Sequence, residues 1–258
     1  MKKTYLIANW KMNLLNKQAE DLALEILDNV KNIENKNLEI VLCTSFTALD
    51  GVGEIIRDSD IKLGAQNVFY HNKGSYTGEV SSTQLKEQGV KYVIIGHSER
   101  RKYLNETDED INKKIIIALE NNLIPILCIG ETMEERQDSK TDLVLIRQIS
   151  KAMEDVELKD NQKLIIAYEP VWVIGTGQAV DIKEAEHSAQ VTNQVLKDFF
   201  SQEIIKDNIS IIYGGSVDAD NINSFLEIDL ISGALVGNAS LLADNFLKII
   251  NKIYARTH

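Results

Sequence analysis

Short apolar runs alternate with longer amphipathic stretches from one end of the chain to the other. The apolar runs are Tyr5–Asn9, Glu39–Cys43, Ile61–Ala65, Tyr92–Gly96, Ile124–Ile129, Leu164–Tyr168, Ser210–Tyr213 and Gly233–Val236. Several are apolar at consecutive rather than alternate positions, the pattern of parallel strands covered on both faces. The stretches between them are spaced as helices. In the first, Ala19, Leu22, Ala23, Ile26, Leu27 and Val30 recur every three or four residues, with Glu20, Asp21, Glu25 and Asp28 opposite. Thr107 is placed to cap a later helix, and Asp108, Glu109 and Asp110 suit its positive end. Asp181 with Glu184 reads as a capping box before a long helix reaching Phe200. Pro125 sits at the start of its strand, where a missing N–H is tolerated.

Eight strand–helix units predict one (β/α)8 barrel of eight parallel strands, a single domain over residues 1–258. An open, doubly wound sheet is the competing arrangement. The regular succession of units and the lack of a dinucleotide fingerprint favour the barrel. Gly175-Thr176-Gly177 lacks the third glycine of that fingerprint and follows a loop. No linker or low-complexity segment interrupts the pattern.

Composition narrows the partners. The chain is 44% apolar and 26% charged, ordinary for a globular protein. No apolar run approaches the roughly 18 residues of a membrane span. The opening Met1–Ala8 is too short in its apolar part for a signal peptide and reads as a strand. The net charge of −11, without a dense basic block, argues against nucleic acid or an anionic membrane as partner. A phosphate-bearing ligand would therefore need a locally positive site built from backbone N–H groups and a few placed cations. Cys43 and Cys128 lie inside strand-like runs and read as buried, reduced thiols. His71, His97, His187 and His258 are scattered without metal-ligand spacing.

In a barrel, chemistry belongs at the C-terminal ends of the strands and in the loops after them. Asn9, Lys11, His97, Glu169, Ser216 and Gly237 all fall there, from strands 1, 4, 6, 7 and 8. Glu169 ends an apolar strand and precedes Pro170 and a loop bearing Gly175 and Gly177, the arrangement of a general base shielded by a closing loop.

The chain resembles the triosephosphate isomerase family over nearly its whole length. The resemblance is carried by Ala8-Asn9-Trp10-Lys11-Met12-Asn13, Gly64-Ala65-Gln66-Asn67-Val68, Ile95-Gly96-His97-Ser98-Glu99-Arg100-Arg101, Ala167-Tyr168-Glu169-Pro170-Val171-Trp172-Val173-Ile174-Gly175-Thr176-Gly177, Tyr213-Gly214-Gly215-Ser216-Val217 and Ala234-Leu235-Val236-Gly237-Asn238-Ala239-Ser240-Leu241. It implies interconversion of D-glyceraldehyde 3-phosphate and dihydroxyacetone phosphate without a cofactor or metal. Glu169 is then the base and His97 the donor that polarises the carbonyl. A helix start after His97 would disfavour its imidazolium form. Lys11 supplies positive charge, oriented by Glu99, and Asn9 helps hold the substrate. Gly175, Ser216, Gly237 and Asn238 bind the phosphate, where close backbone approach and N–H groups make an anion site. The resemblance further implies a lid over residues 170–180, a cytoplasmic location and a homodimer. In that dimer Gly74-Ser75-Tyr76-Thr77-Gly78-Glu79 would plug into the partner.

The chain departs from the family pattern at Val173, where alanine is usual, and at Gln178-Ala179-Val180 on the far side of the lid. Asn238 stands where a second glycine is usual. Leu230-Ile231-Ser232 replaces an Asp-Ile-Asp run, with an effect expected on stability rather than chemistry. The alternatives are a barrel enzyme acting on a larger sugar phosphate and a catalytically silent phosphate-binding or scaffold barrel. The lid and motif match disfavour the first, and the presence of Lys11, His97 and Glu169 disfavours the second.

Overall fold

The computed structural model describes residues 3–31, 37–175 and 179–256. Its strands are β1 (Thr4–Asn9), β2 (Leu38–Thr44), β3 (Lys62–Ala65), β4 (Tyr92–Ile95), β5 (Ile124–Ile129), β6 (Leu164–Tyr168), β7 (Ile209–Tyr213) and β8 (Ile231–Val236). Every strand pairs in parallel with the next, and β8 closes on β1, giving a barrel in chain order. The competing open sheet is therefore not the fold. The helices are α1 (Asn16–Val30), α2 (Leu49–Ile56), α3 (Ser82–Glu87), α4 (Ser98–Leu104), α5 (Asp108–Glu120), α6 (Met133–Gln137), α7 (Thr141–Ala152), α8 (Ile182–Leu196), α9 (Gln202–Asn208), α10 (Ile222–Leu226) and α11 (Ala243–Arg256).

The consecutive apolar residues of each strand serve two cores, because side chains alternate faces along a strand. One set, including Ile7, Val41, Cys43, Ile94, Ile126, Cys128, Ile165 and Ile212, fills the barrel interior. The other, including Leu6, Leu42, Val93, Leu127 and Ile166, meets the helices outside. Both cysteines are free and buried, and burial pushes the Cys128 thiol far above its ordinary pKa. The apolar stripe of α1 is buried as expected at Ala19, Leu22, Ala23, Ile26 and Val30.

Strand ends differ from the predicted ones by a residue or two. The strand after Lys91 stops at Ile95 because Gly96 takes a left-handed backbone (φ 74°) that turns the chain toward α4. The capping of α5 by Thr107 is present, its Oγ1 accepting from the Asp110 N–H at 3.1 Å. The capping box expected at α8 is not. Asp181 caps the helix by accepting from the Lys183 N–H at 2.8 Å, but the Glu184 side chain is drawn instead to Arg136 of α6 at 2.7 Å. An opposite charge from a neighbouring helix outcompetes a local backbone donor. That helix also ends at Leu196, short of Phe200.

One buried ion pair braces the outer wall below the β4 loop. Lys114 of α5 donates to Glu106 and, at 2.8 Å, to Asn67, while Arg100 donates to Glu106 at 3.1 Å. Desolvation lowers the Lys114 pKa, against the opposing pull of Glu106. Lys114→Met would leave a buried carboxylate short of its partner, and unfolding free energy should fall by about 3 kcal/mol in a chemical denaturation curve. A loss below about 1 kcal/mol would mean that Arg100 alone neutralises Glu106.

Candidate active site

The C-terminal strand ends enclose a cavity of ≈ 190 Å³. Asn9, Lys11, His97, Glu169, Gly175, Ser216, Gly237 and Asn238 all line it. Every site residue singled out from the sequence is thus brought to one place.

Glu169 follows β6 and is almost fully buried (2% exposed). Its backbone N–H donates to the Ile129 carbonyl at 2.7 Å, extending the β5–β6 ladder past its last pair. Two glycines make room for it, Gly214 of the quoted motif after β7, to which no role was given, and Gly130, which lies in no quoted motif. A Cβ on Gly130 would lie 1.8 Å from the Glu169 carbonyl oxygen, and one on Gly214 would lie 2.7 Å from Glu169 Cγ. For Gly130 the signal available was position alone, since it directly follows a strand.

His97 is the N-cap of α4, and its Nδ1 accepts from the Glu99 N–H at 3.2 Å. A ring nitrogen that accepts a backbone N–H carries no proton, so the remaining proton of the neutral ring is on Nε2. That Nε2 lies 3.3 Å from Glu169 Oε1, facing into the cavity. Glu99 has a second task, its carboxylate pairing with the Lys11 ammonium at 2.7 Å. One residue therefore sets both the histidine tautomer and the lysine position, as the sequence reading expected only for the lysine.

Lys11 adopts a left-handed backbone (φ 53°), which costs a non-glycine residue about 1–2 kcal/mol. Three hydrogen bonds hold the turn. Asn9 Oδ1 accepts from the Lys11 N–H at 3.1 Å, and Gln66 Nε2 donates to the carbonyls of Lys11 (2.9 Å) and Cys43 (3.0 Å). Gln66 sits just past β3 in a quoted motif, but its role is legible only in three dimensions.

The opposite wall is made by the loops after β7 and β8. Gly237 presents no side chain to the Lys11 ammonium, which would lie 3.9 Å from a Cβ there. Asn238 opens a short 3-10 turn with ordinary negative φ, so this position needs no glycine backbone in this chain. Ser240 pins the turn, donating from Oγ to Gly237 O at 2.7 Å and accepting at its own carbonyl from the Trp10 indole at 3.1 Å. Asp218 also lines the cavity, but its Oδ1 is taken by the N–H groups of Asp220 and Asn221. Leu230, Ile231 and Ser232 do not line the cavity. The buried Ser232 hydroxyl has no hydrogen-bond partner among the described residues.

The first half of the lid is a 3-10 turn over Val171–Val173, with Val173 buried. Buried Glu131 anchors it, accepting from the Trp172 indole at 2.8 Å and from the Tyr168 hydroxyl at 3.2 Å. Burial raises the Glu131 pKa, and these hydrogen bonds oppose the rise. The Arg136 guanidinium stacks 4.1 Å from the Trp172 ring centre. Gly175 is left-handed (φ 75°), a backbone that favours glycine there. At the far side the Val180 N–H donates to the Tyr213 hydroxyl at 3.3 Å, tying the lid's end to the strand that feeds the Gly214-Gly215-Ser216 loop. Of the expected lid, Thr176, Gly177 and the departure at Gln178 lie outside the described residues.

A family model described as triosephosphate isomerase matches residues 4–253. The chain belongs to the triosephosphate isomerase family. It is 43% identical over 251 residues to the triosephosphate isomerase of Alkaliphilus oremlandii, covering 97% of this chain and 100% of that relative. It is 44% identical over 254 residues to that of Borrelia duttonii, covering 98% and 99%. The Dictyoglomus thermophilum relative is 43% identical over 250 residues, covering 97% and 99%.

Proposed function

We propose that this chain interconverts D-glyceraldehyde 3-phosphate and dihydroxyacetone phosphate by proton transfer through an enediolate. The observation that carries the reading is the buried Glu169 carboxylate 3.3 Å from His97 Nε2 in the mouth of a triosephosphate isomerase family barrel. Glu169 takes a proton from the carbon next to the carbonyl and returns it to the neighbouring carbon. Because the two carbons are adjacent, one carboxylate serves both. His97 donates from Nε2 to the substrate oxygens and retrieves the proton. A glutamate base paired with a histidine that donates as imidazole is the pattern of the triosephosphate isomerase family. Lys11 stabilises the developing negative charge, and Asn9 helps to position it. Backbone N–H groups of Gly175, Ser216, Gly237 and Asn238 hold the phosphate within an otherwise acidic protein. The lid excludes water and keeps the enediolate from expelling phosphate.

A coupled assay following dihydroxyacetone phosphate formation from glyceraldehyde 3-phosphate, with no metal or cofactor added, tests the reading. Turnover at the buffer rate would favour the silent phosphate-binding barrel instead.

We further propose that the chain works as a homodimer in the cytoplasm. Among the described residues no helix is long and apolar enough to cross a membrane. The dimer reading is supported by apolar side chains that a lone barrel leaves in water, namely Met12 (96% exposed) and Leu15 (73%) after β1. Tyr76, in the exposed loop 74–79, stacks on His71 with ring planes 5° apart, so the loop presents an ordered aromatic surface. Sedimentation equilibrium should return twice the chain mass. A fully active species of one chain mass would refute the dimer.

A further inference from the structure

We infer that Arg101, which does not itself line the cavity, is a positioning residue that sets His97 against Glu169. The inference rests on the proposed roles of those two groups. Arg101 lies on α4 with most of its side chain covered (19% exposed). Its guanidinium reaches two different strand ends. Nε donates to the Gly96 carbonyl at 2.7 Å, and Nη2 donates to the Cys128 carbonyl at 3.3 Å. Nη1 is held from outside by Asp108 at 2.5 Å.

Those two carbonyls lie beside the two reacting side chains. Gly96 is the left-handed residue immediately before His97. The Arg101 backbone N–H also donates to the His97 carbonyl, at 3.1 Å. Cys128 lies in β5, paired in register with Ala167 of β6, two residues before Glu169. The next residue, Ile129, accepts the Glu169 N–H at 2.7 Å. One planar fork therefore fixes the separation between the β4 end that carries His97 and the β5 end that holds Glu169. β4 and β5 pair by their own ladder only as far as Ile95 and Leu127. Beyond that point Arg101 bridges them. A lysine can reach one of the carbonyls as a point donor, but it cannot span both in a fixed plane.

Misplacing reacting groups by about 1 Å can cost roughly a hundredfold in rate. Arg101→Met should therefore lower kcat about a hundredfold, and Arg101→Lys about tenfold, with KM within about threefold of native because the phosphate-binding loops are untouched. Histidine-selective ¹⁵N NMR should show the His97 ring resonances displaced in both variants. A purely structural arginine would change melting temperature while leaving kcat and those resonances in place. Should either variant fail to fold, Asp108→Ala frees the outer edge of the same fork. It is expected to lower kcat severalfold with the same spectroscopic change. Native kcat in the folded variants would overturn the inference, as would native kcat in Asp108→Ala if neither arginine variant folds. Glu169→Gln assayed in parallel separates the two possible failures. If it is inactive while the Arg101 variants match native, the base assignment stands and only the positioning role falls.

Discussion

Glu169→Gln is expected to lower kcat by about three to four orders of magnitude in both directions, with KM little changed. Glutamine has nearly the same shape, so it fits the bed left by Gly130 and Gly214 and keeps the backbone bond to Ile129. It cannot accept a proton from carbon near neutral pH, so the loss falls on the chemical step rather than on binding or folding. Glu169→Asp makes a sharper companion. Its carboxylate remains basic but withdraws by one methylene, and kcat should fall about a hundredfold through position alone. The same coupled assay reads both variants, with a thermal melt to confirm native stability. If the glutamine variant retained more than a tenth of native kcat, the base would have to be another group.

His97→Gln should lower kcat by about a hundredfold or more while leaving KM within a few-fold. The argument rests on the tautomer. The Glu99 N–H occupies Nδ1, so the proton on Nε2 is the one aimed at the cavity and at Glu169. Glutamine can place an N–H nearby, which preserves some polarisation of the substrate oxygens. It cannot give up that proton and take it back, so the enediolate must be stabilised by Lys11 alone. Solvent exchange into recovered substrate, measured with deuterium, should also change, because the proton shuttle between the two oxygens is lost. A variant with kcat within threefold of native would assign carbonyl polarisation to Lys11 instead of the histidine.

Much of the site was legible along the chain because a barrel converts sequence position into spatial position. A polar residue that interrupts an apolar run at its C-terminal end arrives at one rim, and Asn9, His97 and Glu169 each do so. What was not legible were interactions between residues far apart in sequence. Gln66 holds the strained Lys11 turn from 55 residues away, and Glu131 anchors Trp172 of the lid from 41 residues away. Arg101 could be read as one basic residue among several on a helix start. Its role depends on which carbonyls lie within reach. The capping box at Asp181 and Glu184 failed for the same reason, because Arg136 was not a neighbour in the linear pattern. Asn238 stands where the family usually has a glycine, and only the structure showed that its own backbone keeps a negative φ.

By itself the sequence determined that eight apolar strands would alternate with helices and close as a parallel barrel. Burial on both strand faces and along one helix stripe is written in the order of apolar residues, and few arrangements satisfy it. It also determined which residues stand at the rim. Only the tertiary structure decided how those residues are aimed: Nε2 of His97 toward Glu169, the Lys11 ammonium onto Glu99, and the guanidinium of Arg101 across two strand ends. Hydrogen bonds are short and directional, so which partner wins depends on separations of a few tenths of an ångström. Hydrophobic periodicity carries no information at that scale.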